Sequence, residues 1–268
     1  MHAAESSGEA RRPEQFPGKN KMDAFYDQAL EYMERTLEQL TRQAPPPQRV
    51  PMADSFAYRY VEQTTQQAIV QKLARIISGL HAARVLLKHG FLQEQAALQR
   101  MLDEFQEDVT FLTYAEIRED TADLLRDYLA AFYEEEFDVP QNPIKSTQKR
   151  PMIPRRRIHA YLARVTGTAL DASTAAEVVR TLSKTYSGYV HGASPQIMEM
   201  YGGAPPTFHV AGMLDSPLFR DHKDDLWNYF YRCITAFAFA AKAFGDEVLF
   251  ASIYAYSTWF AGTEPSRK

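Results

Sequence analysis

Apolar residues recur every three or four positions along almost the whole chain, and that spacing confines it to helices packed on helices. Between Met22 and Gln43, the residues Phe25, Leu30, Met33, Leu37 and Leu40 share one stripe, with charges between them. Ala44-Pro45-Pro46-Pro47 stops that helix, because proline cannot continue the hydrogen-bond ladder. Asp54-Ser55 fits a cap for a second, long helix running to about His89-Gly90, where glycine supplies the exit. A third helix is expected from Phe91 to about Glu119, and a fourth, capped by Asp120, over Thr121 to Phe137. Ser194-Pro195 and Ser216-Pro217 each suit a helix start with proline at its first position. The last helices cover Pro217 to about Phe260 and bend or break at Gly245-Asp246. The expected fold is an all-α multi-helix bundle of about seven to nine helices with short connections. One short hairpin is expected near 203–215, around Thr207-Phe208-His209-Val210, and no strand elsewhere.

Residues 1–18 are polar, lack the apolar run of a signal peptide, and read as a disordered tail. Residues 19–268 read as a single helical domain with a shared core. Its N-terminal half is 19–137, its linker 138–154 and its C-terminal half 155–268. The linker is rich in proline and carries Lys145, Lys149 and Arg150 ahead of Arg155-Arg156-Arg157. That cluster is the one place where a phosphate-bearing partner would be attracted; a solvated loop explains the same residues.

A chain of 268 residues with 45% hydrophobic content can bury a substantial core. Its net charge of −4 and pI near 6.0 argue against a broad nucleic-acid footprint. The single cysteine, Cys233, has no internal disulfide partner, which fits a reducing cytoplasm, and its neighbours suggest a packed thiol. The apolar stretch Ile234 to Phe260 is interrupted by Lys242, Asp246 and Glu247, so no membrane partner is expected. Trp227 to Phe244 is rich in aromatics with few basic residues between them, which suits a core better than a base-stacking surface; an exposed share would suit a homodimer interface.

No glycine-rich phosphate loop, paired cysteine knuckle or His-Glu-x-x-His occurs, so neither metal nor cofactor is expected. Two polar stripes stand out instead. Glu177, Arg180, Lys184, Ser187 and His191 fall three or four residues apart, on one face of a helix for which Thr174-Ala-Ala-Glu177 offers a capping box. Arg100, Glu104 and Asp108 form a second stripe on the third helix. If the stripes meet, Glu104 orients His191 as the titratable group, Arg100 grips an anion, and Arg180, Ser183, Lys184 and Ser187 line the pocket. The bland alternatives are a surface ion-pair ladder for Arg100, Glu104 and Asp108 and a helix C-cap for His191-Gly192.

Arg84-Val-Leu-Leu-Lys-His89 and Arg75-Ile-Ile-Ser-Gly-Leu-His81 resemble the Arg-to-His motif of the HEPN ribonucleases. That resemblance implies RNA cleavage without metal: a histidine activates the ribose hydroxyl, and an arginine stabilises the phosphorane, often across two protomers. Val85 and Ile76 depart from the polar residue usual after that arginine. A second resemblance spans roughly Leu73 to Ser194 in two blocks. It is to a family of uncharacterised bacterial all-helical proteins with an Arg-x-x-x-Glu helix, as at Arg100 and Glu104, and a Leu-Ser…His-Gly stretch, as from Leu182-Ser183 to His191-Gly192. It implies a helical fold, distantly HEPN-like, and no substrate.

Two readings therefore stay open, and whether the chain is an enzyme stays open with them. One is a helical binding or regulatory protein for a small anionic ligand, with its pocket around Arg100, Glu104 and His191. The other is a metal-independent HEPN-like endoribonuclease acting on RNA through His191 or, with Arg84, His89. If His191 serves a site, His191→Ala changes ligand binding or activity while the melting temperature moves little. A large melting shift with unchanged function makes it a structural cap.

Overall fold

A computed structural model describes residues 21–52, 55–119, 122–139, 142–147, 151–166 and 186–263. The N-terminal tail 1–18, the capping box at Thr174–Glu177, and Lys149 and Arg150 lie outside them. Among the described residues the chain is all-α, with nine α-helices and two short two-stranded hairpins. In chain order the elements are α1 (Lys21–Thr41), β1 (Gln48–Met52), β2 (Ser55–Arg59), α2 (Thr65–Lys88), α3 (Leu92–Arg118), α4 (Ala122–Tyr133) and α5 (Arg155–Val165). There follow α6 (Ser187–Val190), α7 (Ser194–Met198), β3 (Tyr201–Gly202), β4 (Thr207–Phe208), α8 (Leu218–Ala243) and α9 (Glu247–Ala261).

Three long helices, α2, α3 and α8, pack on one another, with α1 and α9 outside them. Ile69, Leu73, Ile76 and Leu80 of α2 meet Leu102, Val109 and Leu112 of α3 and Phe230 and Phe237 of α8, all fully buried. Met33 and Leu40 of α1 and Phe260 of α9 close the same cluster. Cys233 lies inside it, where burial pushes its thiol up to about 12, so it packs as a small apolar group. The aromatic residues of α8 belong to this core, with Trp227 stacked on Phe260 and Phe230 on Tyr26.

The small hairpin expected near 203–215 forms from β3 and β4, pairing Tyr201 with Phe208 and Gly202 with Thr207. A second hairpin, β1–β2, corrects the expectation of helix from Asp54-Ser55 and of no other strand. Ser55–Arg59 pairs instead with Gln48–Met52, and Phe56 and Tyr58, two residues apart, meet on one face of the ribbon, as strand residues do. Helix α2 instead starts ten residues later than expected, at a complete capping box. Thr64 Oγ1 accepts from the Gln67 amide, and the Gln67 side chain accepts from the Thr64 amide. Helix α4 stops at Tyr133 rather than Phe137, because Glu134-Glu135-Glu136 would place three negative charges at the negative end of the helix dipole. Glu135 pairs with Arg59 of the hairpin instead.

Polar groups inside this bundle concentrate on α3. Glu107 and Asp108 are drawn into contact with Arg155 of α5, which pairs with both. Lys72 of α2 reaches Asp108 at 2.8 Å, and His159 of α5 donates from Nε2 to Glu107 at 3.0 Å. Tyr128 of α4 hydrogen-bonds Asp108 as well, and burial first, then that carboxylate, push its hydroxyl well above the ordinary value. Burial pushes the Glu107 carboxyl up, but His159 and Arg155 outweigh it and hold it below the ordinary 4.5. One turn earlier, Asp103 accepts from Tyr229 at 2.9 Å and pairs with Arg232, both on α8; burial prevails there and raises its carboxyl. Of the basic cluster, half-buried Arg155 is paired with acids of α3, and exposed Arg157 faces Asp127 at 3.4 Å.

Removing one partner from a buried charge set strands the others, at a cost of about 3–5 kcal/mol. Asp108→Ala is expected to lower unfolding free energy in urea by that amount, whereas Arg35→Ala, whose pair with Glu31 is exposed, changes it by less than about 1 kcal/mol. The folded value of Glu107 lies below its unfolded 4.5, so its contribution is fully present above that pH. It is lost as pH falls through the folded value, and Glu107→Gln flattens that acid limb.

Candidate ligand-binding site

The corner between α2 and α3 is where backbone geometry builds a cavity. Helix α2 ends in a Schellman turn: Gly90 adopts φ +74, its amide bonds Leu87 O at 2.9 Å, and the Phe91 amide bonds Leu86 O at 2.9 Å. The strand-free segment Ala211–Leu214 docks on this turn backbone to backbone. The Met213 amide donates to Gly90 O at 2.8 Å, and the Met213 side chain is buried. Two glycines permit the approach. A Cβ on Gly212, at φ +121, would lie 2.3 Å from His89 O, and one on Gly90 would lie 2.6 Å from the Met213 amide nitrogen. No other residue type fits either position.

Docking leaves a cavity of about 430 Å³ between the corner, the β3–β4 hairpin and the start of α8. Its polar lining is His89, Glu199, His209, Asp215 and Ser216, with Tyr201 and glycine backbone beside them. His209 is set by the hairpin: its amide bonds Met200 O at 2.9 Å and its Nε2 donates to Gly202 O at 3.2 Å. That bond places a proton on Nε2. Glu199 Oε2 accepts from Tyr189 at 2.9 Å and from Gln93 of α3 at 3.1 Å. Burial, then Glu199, raise the Tyr189 hydroxyl, so it stays a donor at neutral pH. Ser216 Oγ accepts from the Leu218 amide and starts α8. Among the described residues, neither lysine nor arginine lines the cavity.

The wall carrying Glu199 is fastened through tyrosines. Tyr186 donates to Asp225 of α8 and meets the Tyr229 ring edge-on, while Tyr189 sits edge-on to His222. His222 is buried, which holds its imidazole below the usual range and therefore neutral. These contacts tie the segment to α8, and α6 itself packs against α3.

The residues singled out from sequence fall as follows. Arg100 and Glu104 pair with each other along α3 at 2.8 Å, with Arg100 largely buried. His191 caps the four-residue α6 through its amide to Ser187 O at 3.1 Å, and its side chain is exposed. Among the described residues no hydrogen bond or ion pair joins His191 to Arg100 or Glu104. Ser187 opens α6; Arg180, Ser183 and Lys184 lie outside the described residues. Arg84 faces α1, bonding Asp27 at 2.8 Å over the Tyr26 ring, while His89 faces the cavity. In the other Arg-to-His spacing, Arg75 lies over Phe105 and His81 bonds Glu34 at 2.9 Å. The described residues hold no cluster of His, Cys, Asp and Glu arranged to bind a metal, and no helix among them is long and apolar enough to cross a membrane.

Glu199, His209 and Asp215 were not singled out from sequence. Their nearest signal was the glycine spacing Gly202-Gly203…Gly212, which marks turns but not what they enclose. Comparison with protein-family models, with curated proteins and with solved structures finds no match to this chain.

Gly212→Ala places a side chain where the His89 carbonyl stands, at a φ that alanine avoids. It is expected to cost about 1–3 kcal/mol and to raise hydrogen exchange at the Met213 amide, with the α2–α3–α8 core unchanged.

Proposed function

We propose that this chain is a helical binding protein whose ligand site is the cavity over the α2–α3 corner, and that its ligand is a small molecule bearing an amine. The observation that carries this is the lining: among the described residues, two carboxylates and two imidazoles line about 430 Å³, and none of the described lining residues is lysine or arginine. Carboxylates accept without donating, and a cationic donor suits both of them. The volume falls in the range of small-molecule sites. This reading moves the pocket away from Arg100, Glu104 and His191, and it replaces an anionic ligand with a cationic one, because the arginine meant to grip an anion already has Glu104.

The HEPN-like ribonuclease reading keeps one observation in its favour: His89 and His209 line the same cavity, and a pair of imidazoles is sufficient for acid–base cleavage of RNA. Among the described residues no cation lines the cavity to meet the phosphorane, and Arg84 is engaged by Asp27.

Calorimetry at pH 7.5 with a panel of amines (spermidine, agmatine, glucosamine) and matched anions (phosphate, a nucleoside monophosphate) separates the readings. An amine is expected to bind, and Glu199→Gln or Asp215→Asn to weaken it about tenfold or more, the loss of one charge-assisted hydrogen bond. Binding of anions only, or amine binding indifferent to both substitutions, refutes the proposal. Cleavage of an RNA pool in excess chelator that disappears in His89→Ala puts the nuclease first.

A further inference from the structure

The outermost helix, α9, has the wrong surface for a helix facing water. Only Ile253, Ser257 and Phe260 of its fifteen residues are buried, yet Glu247 is its sole charged residue. At about 100° per residue the exposed positions form one continuous arc. Ala251, Ala255 and Gly262 run along its middle, Tyr254 and Thr258 along one side, and Val248, Ser252 and Trp259 along the other. Val248 is 83% exposed, Tyr254 49% and Trp259 47%, and Glu247 stands at the margin. Helix α1 beside it shows the ordinary solution, an outer face of ion pairs such as Glu31–Arg35 and Glu38–Arg42. A helix that is apolar on all sides is normally covered on all sides, and α9 is too short to span a membrane.

We propose that this face of α9 is covered by the same face of a second copy of the chain, in a two-fold dimer. The chain carries a net charge of −4, so most surfaces oppose self-association; this face sets no like charges against each other when it meets itself. Its relief also suits a copy of itself. The small residues Ala251 and Ala255 allow two antiparallel helix axes to approach closely about a two-fold between them, where Val248 of one copy falls beside Trp259 of the other and the two Glu247 side chains lie at opposite ends. The strip alone is smaller than the roughly 800 Å² per partner of a standard interface. Helix α1 extends it: Phe25 packs edge-on to Trp259, and Tyr32 stacks on Tyr256 and bonds Ser252 at 2.5 Å. The expected dimer is therefore of micromolar strength. It leaves the cavity at the α2–α3 corner free, so dimerisation and ligand binding are separate properties, tested separately.

Sedimentation velocity on the full chain from 1 to 100 μM decides the matter. The wild-type protein is expected to pass from monomer to dimer across that range. Ala255→Glu and Val248→Glu, both at exposed positions, are each expected to raise the dissociation constant at least tenfold while circular dichroism of the dilute monomer stays that of the wild type. The exposed Thr258→Lys serves as a third probe of the same face should either glutamate disturb the helix. A wild-type chain that stays monomeric throughout overturns the proposal, as does a dimer that all three substitutions leave intact. Flotation of monomeric protein with anionic phosphatidylserine vesicles, abolished by Ala255→Glu, would assign the face to a lipid surface and overturn it as well.

Discussion

Burying Glu107 and Asp108 in the middle of α3 obliges the rest of the bundle to bring positive charge to them. A carboxylate removed from water is tolerated only when hydrogen-bonded and paired, and here the partners come from different elements: Lys72 from α2, Arg155 and His159 from α5, and Tyr128 from α4. Hydrophobic packing has no direction and would allow α5 to slide along α3. The ion pairs have direction, so they set where α5 lies. The Asp103–Tyr229–Arg232 set does the same between α3 and α8, and α3 becomes the element against which the others are positioned.

The cavity at the α2–α3 corner inherits its place from that frame. Its floor is the turn that ends α2, its wall hangs from Gln93 of α3 through Glu199, and its rim is the start of α8. What is special to it is a contact that side chains would forbid: Gly90 and Gly212 let two loops touch through their backbones, with one hydrogen bond between them. The corner brings His89 to the cavity that Glu199, His209 and Asp215 also line, although more than a hundred residues separate it from those three.

Much of the helical architecture was legible from residue spacing. The stripes predicted α1, α3, α8 and α9 with ends within a few residues, and His89-Gly90 and Gly245-Asp246 were recognisable as exits because glycine there takes the left-handed conformation. The β1–β2 ribbon was not legible, since five-residue strands carry too little pattern to outweigh a plausible cap at Asp54-Ser55. The basic run at Arg155 was misleading for a related reason. Its charge suggested solvent or phosphate, and only the packing of α5 on α3 shows that Arg155 is paired with acids there, while Arg156 and Arg157 stay exposed. His89 was legible as a candidate, but by a spacing to Arg84 that the helix points in another direction.

The sequence by itself determined that this chain is a helical bundle, where most of its long helices begin and end, and which aromatic residues lie inside, because those outcomes follow from local periodicity and from prolines and glycines that act within one turn. Tertiary structure alone decided which charges are buried together, which histidine faces a cavity, and that α9 keeps an uncharged face outward. Those outcomes depend on the relative rotation and register of helices distant in sequence, and side-chain spacing within a single helix carries no information about its partner.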